Sequence, residues 1–479
     1  MIAIVVSRAD RASEHIGERL LEIGDWETTT DDSIPDGEGG GTVYRRPGAE
    51  IRTVDELHIH LEDPVSAFEA SDRDLDVLVF VSRHAGESGA LLTAHFTGNF
   101  GPAEHGGSGG QLARAAPAAQ KRLLESFDEH APAEYDVGIE CTHHGPSDVS
   151  VPSLFAELGS GPEQWDDPDG ARAVARAVLD LIVACRRSST FSPVDIRGDD
   201  GRSRHVVGFG GGHYAPRFTR IVAETEWGVG HVGSDWQLAE MGTPARNRDV
   251  LSRAFEASDA EYAVIEGEKP DLVATIEDLG HRIVSETWVR QVGDRPLALV
   301  EAIENTVATV EEGLRFGGVV PEGIPDHEDE IMIDRDHGSD SMADRTLLVR
   351  DLPSDLLARA QGIDHDAARA AIEDDAIAFE TSESGTRAAG SIVLADRDDF
   401  DTLVEALADV LRERFEEVTV HEEAVVARET AFDPELAADR GVPEGPKFGA
   451  LAAGTPVEVD GKTITPEAVT REREERFPR

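Results

Sequence analysis

The feature that most constrains this chain is an alternation of short apolar runs with amphipathic stretches, sustained from the N-terminus to about residue 295. The apolar runs have strand length and composition, at residues 2–7, 57–61, 77–81, 91–95, 137–140, 205–209, 227–232, 262–265 and 282–286. Between several of them, residues 12–23, 111–127, 171–186, 248–257 and 272–279 carry apolar side chains at helical spacing. Strands that alternate with helices bury both faces of one sheet. The pattern therefore predicts an α/β domain of three layers around a mostly parallel or mixed sheet. Residues 31–41, acidic and rich in glycine, read as a surface loop.

The 479 residues leave room for two to three domains. The α/β pattern assigns 1–300 to one domain, which also holds the candidate catalytic residues. Residues 301–345, with Glu328-Asp329-Glu330 and the acid-rich stretch 334–340, read as a linker. A smaller α+β region follows at 346–479, with strands expected at 346–349 and 391–394 and a helix at 399–415, where Leu403, Leu407, Val410 and Leu411 share one face. Residues 443–465 read as an ordered loop and hairpin turning at Asp460-Gly461.

Composition narrows the setting. The formal charge is −51, the acids are spread over the whole length, and Lys121, Lys269, Lys447 and Lys462 are the only lysines. Self-repulsion on that scale is tolerable where salt screens charge within a few Å, which points to an extreme halophile. At molar salt the counterion-release term that favours basic nucleic-acid-binding proteins has largely vanished, so acidity does not exclude an RNA substrate. No apolar run reaches the roughly 20 residues of a membrane span, and the N-terminus lacks a basic signal-peptide start, so a cytoplasmic protein is expected. Cys141 and Cys185 are the only cysteines, which excludes a disulfide framework and a cysteine-based zinc ribbon.

The chemistry collects just past strand ends. His84 follows the run at 77–81, and His95 opens His95-Phe96-Thr97-Gly98-Asn99-Phe100-Gly101. Glu140-Cys141-Thr142-His143-His144-Gly145-Pro146 follows 137–139, and Gly210-Gly211-Gly212-His213-Tyr214-Ala215-Pro216 follows 206–209. His231 and Glu266 end two further strands. Ligands of open α/β sheets bind outside the carboxyl ends of the strands. Parallel strands would gather His95, Glu140, His143, His144, His213, His231 and Glu266 in one crevice. Imidazole and carboxylate are the ligands zinc takes when no thiolate is offered. A bound zinc brings water to a pKa of about 7, which suits ester hydrolysis in a chain with no Gly-x-Ser-x-Gly elbow. Gly211 and Gly212 are candidate oxyanion donors through their N–H groups, and Asn99 is a candidate side-chain donor to substrate. His84 and His105, isolated in sequence, read first as surface or satisfied core residues. Trp227 and Trp236 read first as core, with stacking on a terminal adenine as the alternative.

The Thr-His-His-Gly-Pro and Gly-Gly-His-Tyr-Ala-Pro segments, in this order after His95–Gly101, resemble the archaeal and plant type of D-aminoacyl-tRNA deacylase over roughly residues 1–290. The resemblance implies a fold related to peptidyl-tRNA hydrolase and nucleoside phosphorylase. It also implies a zinc requirement, with one or two ions per chain, and hydrolysis of D-aminoacyl-tRNA and mischarged glycyl-tRNA. It carries His95, Asn99, Glu140, His143, His144 and His213 onto family motif positions. The family generally has a small non-thiol residue where Cys141 stands, so Cys141 is not expected as nucleophile or obligatory ligand. The tRNA end is expected along a groove carrying Lys121, Arg122, Arg217 and Arg220, in a monomer. The region after about 305 is expected to be missing from shorter relatives, its role open between contacting tRNA and salt-adapted packing. Two other readings compete: a small-molecule nucleosidase, phosphorylase or amidohydrolase, and a non-catalytic tRNA-binding module.

Overall fold

Val77-Leu78-Val79-Phe80-Val81 can be apolar at consecutive positions because strands flank it on both sides and both of its faces are covered. In the computed structural model it is β5 (Val77–Arg83), near the middle of an eight-stranded sheet. The structure describes every residue except 72–73, 188–190, 326 and 336–345. The chain divides into two units, Met1–Asp294 and Arg295–Arg479.

The large sheet of the first unit is built from β1 (Ile2–Ser7), β2 (Glu27–Asp31), β3 (Gly41–Arg46), β4 (Ala49–Val54), β5, β6 (Leu91–His95), β7 (Asp136–Ile139) and β8 (Ser153–Gly159), in the order β2-β3-β4-β1-β5-β8-β6-β7. β4, β1, β5 and β8 run parallel, whereas β6 runs antiparallel to β8 and parallel to β7. The sheet is thus mixed, and its direction reverses between β8 and β6. Helices α1 (Arg11–Ile23), α2 (Pro117–His130) and α4 (Pro168–Arg187), the last preceded by the short α3 (Pro162–Trp165), pack on it. α1 begins where the Asp10 carboxylate accepts from Ala12 N and Ser13 N.

A second sheet, β9 (His205–Phe209), β10 (Gly228–Gly233), β11 (Tyr262–Ile265) and β12 (Arg282–Ile283), is parallel throughout in the order β10-β9-β11-β12. It is served by α5 (Pro216–Glu224), α6 (Asp235–Met241), α7 (Arg248–Ser258), α8 (Pro270–Asp278) and α9 (Glu286–Val292).

Three expected elements differ. Residues 57–61 form a 3-10 turn at His58–His60, its N–H groups bonded locally and His58 Nε2 donating to Val5 O. The strand expected at 282–286 stops at Ile283 because the Ser285 hydroxyl accepts from Trp288 N and starts α9. The helix expected from 111 begins only at Pro117, since residues 111–113 pair with the chain at 97–99. β2, β3, β4 and β8 were not anticipated.

In the second unit, α10 (Leu297–Thr306), β13 (Leu314–Phe316) and β14 (Met332–Asp334) place short elements in the expected linker, and α10 forms because most of residues 297–303 are apolar and buried. The stretch 336–345 lies outside the described residues. β13 and β14 are the edges of a five-stranded sheet with β15 (Thr346–Asp351), β16 (Ala378–Ser382) and β17 (Arg387–Leu394). Helices α11 (Ser354–Ile363), α12 (His365–Asp375) and α13 (Arg397–Arg412) share its core. A hairpin over 457–464 turns at Asp460-Gly461, both with positive φ.

Candidate active site

The segment after β7 is stitched at consecutive residues to different parts of the first unit. Glu140 N donates to Ala94 O of β6 (3.2 Å), Cys141 N to His213 O beyond β9 (2.8 Å), and Thr142 N to Val232 O of β10 (2.8 Å). This fixes the backbone from which Glu140, His143 and His144 project. His144 sits at φ +48°, in the left-handed region that non-glycine residues rarely adopt, and this lets two adjacent imidazoles serve one site. His95 ends β6 opposite Phe155 of β8, and their rings stack at 5.0 Å.

His95, His143 and His144 form one cluster, with ring centroids 4.2, 4.3 and 4.8 Å apart. Each directs Nδ1 at a main-chain carbonyl: His95 at Phe96 O (3.0 Å), His143 at Cys141 O (2.8 Å) and His144 at Gly145 O (2.9 Å). A carbonyl can only accept, so Nδ1 carries the proton in all three rings and Nε2 keeps its lone pair when the ring is neutral. Metal-bound histidines are held in this way. His95 Nε2 is buried with no hydrogen-bond partner, a cost that a ligand at that nitrogen would remove.

Beside this cluster, the fully buried Glu140 carboxylate meets His213 Nε2 at 2.8 Å, His84 Nδ1 at 3.1 Å and His143 Nε2 at 3.7 Å. Its Oε1 has no partner of hydrogen-bond geometry. Glu157 of β8 accepts from Ser82 Oγ (2.6 Å) and lies 3.6 Å from His95 Nε2 and 3.7 Å from His84 Nδ1. At this site three groups among the described residues have ligand atoms close enough together to hold a cation: His95–His143–His144, His84–Glu140–His213 and His95–Glu140–Glu157. The donors are nitrogen and carboxylate oxygen, a set that fits zinc.

Charge is distributed unevenly over these groups. Burial lowers the pKa of His84 and His213, but the Glu140 carboxylate, joined by Glu157 at His84 and by Cys141 at His213, outweighs it and raises them to about 11 and about 10. Burial, reinforced by the neighbouring imidazoles, lowers His143 strongly and His144 to about 4. Burial raises the Glu140 carboxyl, yet its histidine partners hold it well below the usual carboxylate range. The cluster opens on a cavity of about 410 Å³ lined by His84, His143, His144, Glu157 and His213, with Trp236 and Glu240 also in its wall.

The structure thus brings His95, Glu140, His143, His144 and His213 together and adds His84 and Glu157. It does not place the rest of the expected site there. His231 is buried elsewhere, Nε2 donating to Ala113 O (2.7 Å) and Nδ1 accepting from Thr142 Oγ1 (3.0 Å). Asn99 lines the cavity, but its amide N is committed to Gly106 O (3.0 Å), so it holds a loop. Gly210 N donates to Gly233 O (2.8 Å), and Gly211 and Gly212 do not line the cavity. A Cβ would stand 2.3 Å from Glu266 O at Gly210 (φ +100°) and 2.8 Å from Glu266 Oε2 at Gly211 (φ +77°), whereas at Gly212 it would meet nothing within 4 Å. The Glu266 carboxylate lies beside Gly211, apart from the histidines. Lys121 Nζ donates to Val222 O and Thr225 O, Arg122 pairs with Glu125, and Arg217 and Arg220 share Glu286. None of these four lines the cavity. Cys141 is buried, with Sγ 3.7 Å from His213 Nδ1 and outside every candidate ligand group.

Residues 71–284, within the first unit, match the family described as D-aminoacyl-tRNA deacylase. Over all of this chain it is 59% identical to a D-aminoacyl-tRNA deacylase of Halorubrum lacusprofundi, covering 97% of that protein. It is 48% identical to one of Natronomonas pharaonis, with 100% of both chains covered. One of Methanococcoides burtonii is 32% identical over 98% of this chain and 94% of its own length. The second unit is therefore matched in these relatives as well. A crystal structure of a conserved protein of unknown function aligns with 61% of this chain and 98% of its own, at TM-score 0.52 and 28% identity. The mixed sheet, the histidine–carboxylate cluster and these full-length similarities agree: the chain belongs to the D-aminoacyl-tRNA deacylase family.

Proposed function

We propose that this chain hydrolyses the ester bond of D-aminoacyl-tRNA, releasing the D-amino acid and tRNA, and that it works in the cytoplasm as a zinc enzyme. The observation that carries the reading is that three histidines, each with Nδ1 turned to a main-chain carbonyl, gather with two buried carboxylates beside one cavity. His95, His143 and His144 would hold the ion, with Glu157 and Glu140 balancing its charge. When bound there, zinc supplies Lewis acidity and favours ionisation of water.

The remaining steps belong to the chain's own side chains. Glu140 keeps a proton on each of His84 and His213, and His213, whose side chain is 32% exposed, faces the cavity. His213 is thereby placed to give a proton to the ribose oxygen as its bond to the carbonyl carbon breaks and a water oxygen takes its place. Tyr214 OH, 3.2 Å from His84 Nε2, orients the inner histidine. An aminoacyl ester is already activated, so positioning and modest electrostatics suffice. Glycyl-tRNA belongs with the substrates, because a wall that reads the D-configuration has no side chain of glycine to reject.

The test uses the full chain at high salt with tRNA charged with matched D- and L-amino acids and with glycine. Release from D-aminoacyl- and glycyl-tRNA, with the L-ester spared, is expected. Equal hydrolysis of both enantiomers, or of neither, contradicts the reading.

A further inference from the structure

Of the five tryptophans, four are satisfied. Trp26 Nε1 donates to Leu20 O, with Arg46 over its ring. Trp165 Nε1 donates to His84 O, with Arg83 over its ring. Trp227 and Trp288 are fully buried against each other and Tyr262. Trp236 differs on every count. It is 45% exposed, it lines the reaction cavity, and among the described residues it has no ring partner and its N–H no acceptor.

Its position is nevertheless fixed. Trp236 lies in the first turn of α6, where Asp235 N donates to Gly211 O (3.0 Å). Gln237, next in sequence and buried, donates through Nε2 to Thr142 O and accepts from Ser234 N (3.0 Å). The first turn of α6, which carries the indole, is thus anchored to the same segment that carries His143 and His144. An exposed ring that lines a cavity and is carried on an anchored backbone is a platform with a vacant face.

Charge identifies what it takes. Asp10, Glu104, Glu157 and Glu240 line the cavity, and Arg83, already stacked on Trp165, is the only Lys or Arg among its lining residues. Phosphate meets four carboxylates there against one guanidinium and two protonated imidazoles already paired with Glu140, whereas a base offers a neutral π-face. We infer that Trp236 is the positioning residue on which the unpaired terminal adenine of tRNA stacks, setting the aminoacyl ester over the histidine–carboxylate cluster. This rests on the function proposed above.

Stacking on one base implies a loss of about 5- to 150-fold in affinity when the ring is removed. With the full chain, Trp236→Ala is expected to raise KM for D-aminoacyl-tRNA by that factor with little change in kcat. Trp236→Phe should retain most of the affinity, and Trp236→Leu, apolar but not planar, should behave as Ala. In direct binding, the parent should prefer uncharged tRNA to the same tRNA lacking its terminal adenosine, and Trp236→Ala should lose that preference. Unchanged KM in Trp236→Ala, full affinity in Trp236→Leu, or a preference that survives Trp236→Ala overturns the inference while leaving the deacylase reading intact. A change that follows the amino-acid side chain instead of the terminal base assigns the ring to the amino acid and also overturns it. A parent chain that hydrolyses no charged tRNA removes both.

Discussion

At the scale of single residues, the site is set by which nitrogen of each imidazole holds the proton. Three histidines donate Nδ1–H to carbonyls and turn Nε2 inward, whereas His84 and His213 keep their protons against Glu140. His144→Ala is accordingly expected to lose metal content and to lower deacylation at least about 100-fold, measured by metal analysis alongside turnover. His231 gives the opposite test, because its role is structural. Burial lowers its pKa to about 4, against about 6.5 in the unfolded chain. As pH falls from 6.5 toward 4 the unfolded state takes up the proton first, so His231 costs up to roughly 3 kcal/mol of stability over that window. Denaturant titrations should find His231→Gln less stable than the parent at pH 8 but losing less stability between pH 7 and 5. The histidines of this cluster were legible in the sequence because each follows an apolar run. Glu157 was not, since a single carboxylate inside Ser153–Gly159 has no pattern around it, and His84 gained its meaning only from partners distant in sequence.

At the scale of elements, the site depends on the reversal between β8 and β6. The sequence expectation placed it outside the carboxyl ends of parallel strands. Instead β6 runs back along β8, so that His95 and Glu157 meet over the sheet and not beyond its edge. β8 escaped notice because it is buried on both faces and mixes Ser, Glu and Gly with its apolar residues, leaving neither an alternation nor a clean apolar run. Its last residue controls the site: a Cβ at Gly159 would stand 2.6 Å from His84 Cβ. Gly159→Ala should therefore displace His84 from Glu140, costing about 1–3 kcal/mol of stability and at least about tenfold in kcat, read from a melt and steady-state kinetics. Melting with kcat unchanged would separate His84 from the reaction.

At the scale of the whole molecule, the charge of −51 decides how tRNA is held. The basic side chains expected to form a groove are spent on Glu125, Glu286 and main-chain carbonyls, so these four offer phosphate little. Affinity for tRNA should change by less than about tenfold between about 1 and about 3 M KCl, which corresponds to fewer than about two phosphate contacts. A steep decline over that range would show a cationic surface. Among the described residues no helix is long and apolar enough to cross a membrane. An acid-rich composition masks the short elements within the expected linker at 301–345, such as the end of α10, β13 and β14. The central claim is that the histidine–carboxylate cluster works as a metal centre, and its most direct measurement is the D-aminoacyl-tRNA deacylase rate of the full chain after exhaustive chelation and again after zinc is returned. The account predicts a fall to the uncatalysed rate and recovery with one to two equivalents of zinc per chain; full activity in the metal-depleted protein would contradict it.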